Sequence, residues 1–181
     1  GANALVTLFR RAPRSQKSWI LKEAAVAYAT ANANVEAEVT FAESLAAALS
    51  EREKWQIEYA WGESLLEQSQ WDRAIVHYSN ALDGAIRADP TSLGILTSLN
   101  ALGTAHLRKG DLAEAEQVFN RELAINQKTA PPGTIRTATS LHNLCSVHLR
   151  RADFQKAESL CRQSLEETAR VMAGTLEHAV I

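Results

Sequence analysis

The sequence predicts an all-α fold made by stacking helical hairpins, and three observations carry that reading. Alanine and leucine dominate the 181 residues, and only eight glycines and four prolines interrupt them; such a composition favours helices over a many-turned β-fold. The chain also repeats itself. At an offset of 42, residues 97–126 meet residues 139–168 with eleven identities in thirty pairs, among them His106/His148, Arg108/Arg150, Asp111/Asp153 and Glu116/Glu158, where chance gives about two. Finally, a small residue is followed twelve positions later by alanine in four places: Ala25 to Ala37, Gly62 to Ala74, Gly103 to Ala115 and Cys145 to Ala157.

That last spacing explains itself physically. Two antiparallel helices need small side chains where their backbones approach most closely, and a larger group one turn further on fills the space beside the contact. Four residues after each alanine stand Phe41, Tyr78, Phe119 and Cys161. First helices are therefore predicted near 18–31, 53–68, 92–109 and 135–151, and second helices near 34–50, 71–87, 112–128 and 154–172. Gly110 suits a helix C-terminus, while Asp111 and Asp153 suit N-caps of the helices that follow. Asp89-Pro90 and Pro131-Pro132-Gly133 separate pairs, because proline removes a donor and restricts its predecessor. A short helix is expected over 2–11.

This small–(12)–alanine–aromatic pattern, across roughly residues 18–171, resembles the tetratricopeptide repeat. The 41–42-residue period of the later copies, with "SLNALGTAHLRKGDLAEAE" and "SLHNLCSVHLRRADFQKAE", resembles the kinesin light chain-like form, longer than the minimal 34-residue unit. Members of that form carry an Asn-Asn-Leu-Ala-like stretch. Asn100-Ala101 keeps one asparagine and His142-Asn143 the other. The resemblance implies a right-handed α-α superhelix, a solenoid of about four antiparallel helix pairs. Its repeats fall near 18–50, 53–87, 92–128 and 135–172, after a basic arm or short helix over 1–17. Residues 173–181 read as the entry to a further, truncated repeat.

Function classes narrow accordingly. No nucleophile elbow, phosphate loop, dinucleotide fingerprint or paired-carboxylate motif is present, so no catalytic residue, cofactor or metal is expected. The two cysteines are too few for a disulfide framework and are expected as unpaired thiols packed in the seam of one helix pair. There is no run of 18 apolar residues. Residues 1–22 hold Arg10, Arg11, Arg14, Lys17 and Lys22 and no acid, and the remainder holds 14 basic side chains against 21 acidic ones. The start reads either as a solvated arm or as part of an organellar transit peptide, leaving cytoplasm and organellar matrix both open. The acidic balance beyond residue 22 opposes nucleic-acid binding.

Trp61 and Trp71 align with apolar positions of other copies and are expected in the core, whereas Trp19 and Trp55 are left as packing residues or partner anchors. The family resemblance implies a protein partner, an extended peptide or a helix, held along the concave face made by first helices. By register, that face presents Tyr59, Glu63 and Leu66, then Asn100, Thr104 and Arg108, then His142, Asn143, Ser146 and Arg150. Asparagine both donates to and accepts from a peptide backbone, and stacked Arg108 and Arg150 suit an acidic side chain or a C-terminal carboxylate. Of the Lys/Asn/Asn/Lys/Arg clamp of chaperone-binding relatives only Lys22, Asn100 and Asn143 have counterparts, in another distribution, so chaperone-tail binding is not predicted. The alternative is a structural subunit or assembly factor of a larger, possibly organellar, complex, making contacts through its convex face, its ends and the basic arm.

Overall fold

The computed structural model describes residues 2–9, 12–91, 93–129 and 134–178, except the side chains of residues 3, 5 and 174–178. Among the described residues the regular elements are all α-helices: α1 (Ala2–Phe9), α2 (Arg14–Thr30), α3 (Asn34–Ala47), α4 (Glu51–Glu67), α5 (Trp71–Ala88), α6 (Leu93–Lys109), α7 (Leu112–Thr129), α8 (Ile135–Arg150) and α9 (Phe154–His178). The largest departure from the expected first helices is at α2, which begins four residues early. Pro13, with φ −57° and ψ 151°, stands at its N-cap, where a missing N–H costs nothing. α9 continues unbroken to His178. Of residues 173–181, expected as the entry to a further repeat, 173–178 form the last turns of α9, while 179–181 lie outside the described residues, as does the Pro131-Pro132-Gly133 break.

The molecule divides into two compact units, Gly1–Ser98 and Leu99–Ile181. In the first, α1 packs on α2, α2 on α3 and α4, and α4 on α5. Its core holds Leu21, Ala25, Phe41, Ile57, Leu65, Ala74 and Tyr78. Phe41 stacks on Trp61 at 5.3 Å, and Trp61 stacks in turn on His77 at 4.2 Å. Trp61 thus lies half-buried against the core, as its register requires. In the second unit α7 packs on α8 and α8 on α9, around Ala115, Phe119, Leu144 and Val147.

The small-to-large contact predicted from spacing closes the pairs. A Cβ placed on Gly62 would stand 2.7 Å from the Tyr78 ring, and one on Gly103 would stand 2.5 Å from the Phe119 ring. Both rings are fully buried, so neither site has room for even a methyl group without the ring moving. In the fourth pair the same two positions are Cys145 and Cys161, and they are joined by a disulfide with Cα atoms 5.4 Å apart. This corrects the expectation of unpaired thiols. Seam positions that face each other this closely fall within the separation a disulfide spans.

The four corners share one backbone. Asn32, Ser69, Gly110 and Ala152 occupy equivalent places, and all have positive φ, at 58°, 58°, 100° and 60°. The next residue's N–H reaches back five residues each time: Ala33 to Tyr28, Gln70 to Leu65, Asp111 to His106 and Asp153 to His148, at 2.9–3.0 Å. That is the Schellman arrangement, which satisfies carbonyls left over at the helix end. The expected cap at Asp153 is present, with its Oδ1 accepting from Lys156 N–H at 3.4 Å. Asp111 instead pairs with Lys109 Nζ at 2.8 Å.

Across the fourth corner Glu116 of α7 gathers three partners: Arg151, Lys156 Nζ at 3.2 Å and the buried His148 Nε2 at 3.2 Å. Burial opposes ionisation of Glu116, but Arg151 and Lys156 outweigh it and hold its carboxyl below the usual range. One acid from the preceding pair therefore clamps the corner of the next.

Ala152 adopts the left-handed conformation that glycine fills at the equivalent third corner, and an L side chain there costs about 1 kcal/mol. Ala152→Gly is expected to raise the thermal midpoint by about 1–3 °C, read by circular dichroism.

Candidate functional site

The outward stripe of each first helix is the surface that its own partner helix leaves uncovered. On α4 this stripe runs Arg52, Gln56, Tyr59, Glu63, Leu66, and on α6 it runs Leu93, Thr97, Asn100, Thr104, Arg108, at the three-to-four-residue steps of one helix face. On α8 it is Thr139, His142, Ser146 and Arg150, with Asn143 beside it. Buried positions on the same helices, such as Ile57, Leu65, Leu99, Leu102, Leu144 and Val147, interdigitate with these at the complementary step.

The predicted residues divide by what they already bond. Asn100 Nδ2 approaches both carboxylate oxygens of Glu122 at 3.4 and 3.5 Å. The Arg150 guanidinium donates to the Leu107 carbonyl in the last turn of α6, and Ser146 Oγ donates to its own helix at the His142 carbonyl, 3.1 Å away. In the first unit Glu63 accepts the Tyr78 hydroxyl, and the Tyr59 and Tyr78 rings lie 5.7 Å apart. Burial first, and the Glu63 carboxylate second, push both phenols above their usual range. Arg108 and His142 stand exposed, while Thr104, Asn143 and Leu66 are half-buried. Arg108 and Arg150 thus differ in role: Arg150 braces α8 against α6, and Arg108 faces solvent.

Glu122 sits beneath this stripe, 5 % exposed, on α7. Burial raises its pKa to about 7 against the opposing pull of Asn100 from α6 and Ser140 from α8. Asn126 extends the network by donating to Ser140 Oγ at 3.0 Å. The acid works as an internal bracket among three helices, and Asn100 is the part of it that reaches the surface.

The first unit carries two clefts that spacing did not single out. One, of about 80 Å³, lies between α2 and α4 and is lined by Ser15, Ser18, Trp19, Lys22, Glu53, Gln56 and Ile57. The other, of about 750 Å³, is lined by Arg52, Trp55, Gln56, Ala88, Asp89, Leu93, Gly94 and Thr97. Gln56 lines both, so the two clefts adjoin at this side chain, across the N-terminal halves of α2 and α4 and the start of α6. Trp19 is 58 % exposed at one end and Leu93 61 % at the other. In the wall of the first cleft, Glu53 is fixed by the Ser18 hydroxyl at 2.6 Å and the Leu49 N–H at 3.0 Å. Asp89 is held ionised by the Thr91 hydroxyl at 2.7 Å and its N–H at 2.9 Å. The signal for these clefts was present in part, since Trp19 and Trp55 had no apolar counterpart in the other copies.

Hairpins of this geometry, repeated along a chain and presenting one uncovered helix face each, define a class of helical-repeat scaffold. Tetratricopeptide-repeat models match residues 56–128 and 137–173, and the chain belongs to the tetratricopeptide-repeat family. Among solved structures, BtubC (BKLC) from P. vanneervenii aligns over 93 % of this chain and 73 % of its own at 21 % identity, with a TM-score of 0.76. A putative kinesin light chain of nearly identical TPR-like repeats from Podosopora anserina aligns over 95 % and 85 % at 20 % identity, with a TM-score of 0.78. At those identities the likeness is one of fold: a tetratricopeptide-repeat solenoid. No curated protein matches the sequence. Repeats of this family serve in general as protein-interaction scaffolds, and no described helix is long and apolar enough to cross a membrane.

The Glu122 bracket has a pH signature. A carboxyl whose folded pKa lies above its ordinary value of 4.5 favours the fold in its neutral form. Its contribution is fully present below about pH 4.5 and is lost as pH rises through 7. Wild type is expected to lose about 2 kcal/mol of unfolding free energy between pH 5 and pH 8 from this group. Glu122→Gln should remove that slope in urea titrations at the two pH values.

Proposed function

We propose that the chain is a non-catalytic scaffold that holds an extended peptide segment of a protein partner against its first-helix faces. The observation that carries this is the pair of clefts on the first unit that adjoin at Gln56, a wall common to both. An extended peptide brings unpaired N–H and C=O groups at every residue. Gln56 offers a donor and an acceptor to them, and the Thr97 hydroxyl, donating to its own helix at Leu93 O, still accepts. Exposed Trp19 and Leu93 give apolar side chains of the peptide a surface at each end, the kind of anchor on which binding energy concentrates. Exposed Arg52 supplies a cation for an acidic residue of the peptide, and Lys22, paired with Glu23 at 2.9 Å, supplies a second on the other cleft. On the second unit the surface-facing Thr104, Arg108, His142 and Asn143 offer the same chemistry, with Asn100 and Arg150 setting the spacing of the helices behind them.

The test is a peptide library panned against the intact chain, with selected peptides measured by fluorescence anisotropy. Gln56→Arg and Thr97→Arg place bulk and charge in the clefts and should weaken binding at least tenfold, about 1.4 kcal/mol, with the thermal midpoint unmoved. Peptides that bind both variants as tightly as wild type would remove the groove from the first unit. Arg108→Ala and Asn143→Ala report in the same way on the second unit.

A second reading, a subunit that meets other proteins through its outer surfaces, draws on α9. Phe154 is 67 % exposed and Leu165 71 %, whereas their counterparts Leu112 and Leu123 on α7 pack against the core of the second unit. Phe154→Glu with Leu165→Glu should leave a free monomer unchanged but dissolve any assembly built on this face, as seen by light scattering on the purified protein.

A further inference from the structure

We propose that Cys145 and Cys161 form a reversible, redox-controlled joint, so that thiol reductants loosen the fourth helix pair and leave the other pairs unaffected. The inference is independent of the peptide-binding reading and rests on register. In the second and third pairs the joint is a glycine covered by a buried aromatic ring, Gly62 under Tyr78 and Gly103 under Phe119. In the fourth pair both partners are cysteines, bonded across the seam with Cα atoms 5.4 Å apart. Two thiol side chains fill much less of the seam than a phenyl ring, and dispersion contact falls steeply with a gap. The covalent bond therefore replaces packing that the other pairs obtain from the ring.

The rest of α9 makes this joint decisive. Among its described residues only Ala157 and Ser164 are buried, whereas α5 buries Ala74, Tyr78, Ala81, Leu82, Gly84 and Ala85. Ser164 Oγ holds the Ala138 carbonyl at 2.8 Å, and the Glu116 clamp holds the corner. Between those points the cross-link ties α9 covalently to α8, beside Leu160, which packs against the apolar core of the unit.

Access is one-sided. Cys145 is 1 % exposed, while Cys161 is only half-buried. A thiolate from a monothiol or dithiol reductant attacks Sγ of Cys161, the S–S bond breaks, and Cys145 leaves as a thiolate that takes up a proton. A second reductant thiolate then attacks the reductant sulfur of the mixed disulfide and displaces Cys161, which is protonated in turn. The protein gains two thiols, and the reductant leaves as its own disulfide.

The experiment compares the intact chain, purified without reductant, with the same protein in dithiothreitol. The reduced form should melt about 5–10 °C lower, and α9 amides should exchange with deuterium at least tenfold faster, with those of α2–α5 unchanged. Cys145→Ser with Cys161→Ser should behave as the reduced chain in either buffer. Cys145→Gly with Cys161→Phe, which writes the joint of the third pair into the fourth, should recover at least half of the lost melting temperature. Equal melting and equal α9 exchange with and without dithiothreitol would overturn the proposal. So would two titratable thiols in the denatured, never-reduced protein, or a Gly/Phe variant no more stable than the serine pair. If the serine pair fails to fold, the comparison of oxidised with reduced wild type decides.

Discussion

Everything in this fold depends on how closely two helices of a pair can approach. The approach is set by a residue with little or no side chain facing a ring or, once, facing another sulfur. Gly62 and Gly103 permit it by having no Cβ, and the rings of Tyr78 and Phe119 then occupy the space a methyl would have filled. Twelve residues separate each small position from the alanine on the return helix, which is the length of chain needed to finish one helix, turn and come level again. The buried columns, the exposed first-helix stripes and the position of each corner all follow from that contact. A helix rotated to satisfy it has only one face left for solvent.

The corners contribute a second constraint that is almost independent of side chains. Asparagine, serine, glycine and alanine all occupy the left-handed position, and the bonds that close the corner run between main-chain atoms. Side chains add local ties afterwards. Glu116, reaching from the third pair to Arg151, Lys156 and His148, makes the fourth corner depend on the pair before it. Glu122, Asn100 and Ser140 do the same deeper in the second unit, with a carboxyl that burial keeps near neutrality. These acids are thus used between helices, where apolar packing leaves register loosely defined.

How much of this was legible in the sequence follows from which features are periodic. Helix order and corners were readable because spacing alone encodes them, and all eight expected long helices are present, with α2 and α9 extended. The cystine was not, because two cysteines sixteen apart look the same as any small–large joint, and their bonding is decided by distance. The bonding of Arg150 was equally hidden. It aligns with the exposed Arg108, yet its guanidinium donates to the Leu107 carbonyl at the end of α6, a contact that register alone does not encode. The clefts at Trp19, Gln56 and Thr97 escaped because they depend on the N-terminal halves of first helices, away from the small residues that anchored the alignment.

The invariance of the corners bears on how such a chain can change length over evolutionary time. From copy to copy the small residue recurs after 37, 41 and 42 positions, yet the interval across each corner is always twelve. One residue added inside a corner would turn the following helix by about 100° and carry its alanine and ring away from the seam. The same residue added between pairs only lengthens a connection. Length is therefore tolerated by place: the copies of this chain differ in the spacing between hairpins and keep the interval across each corner fixed.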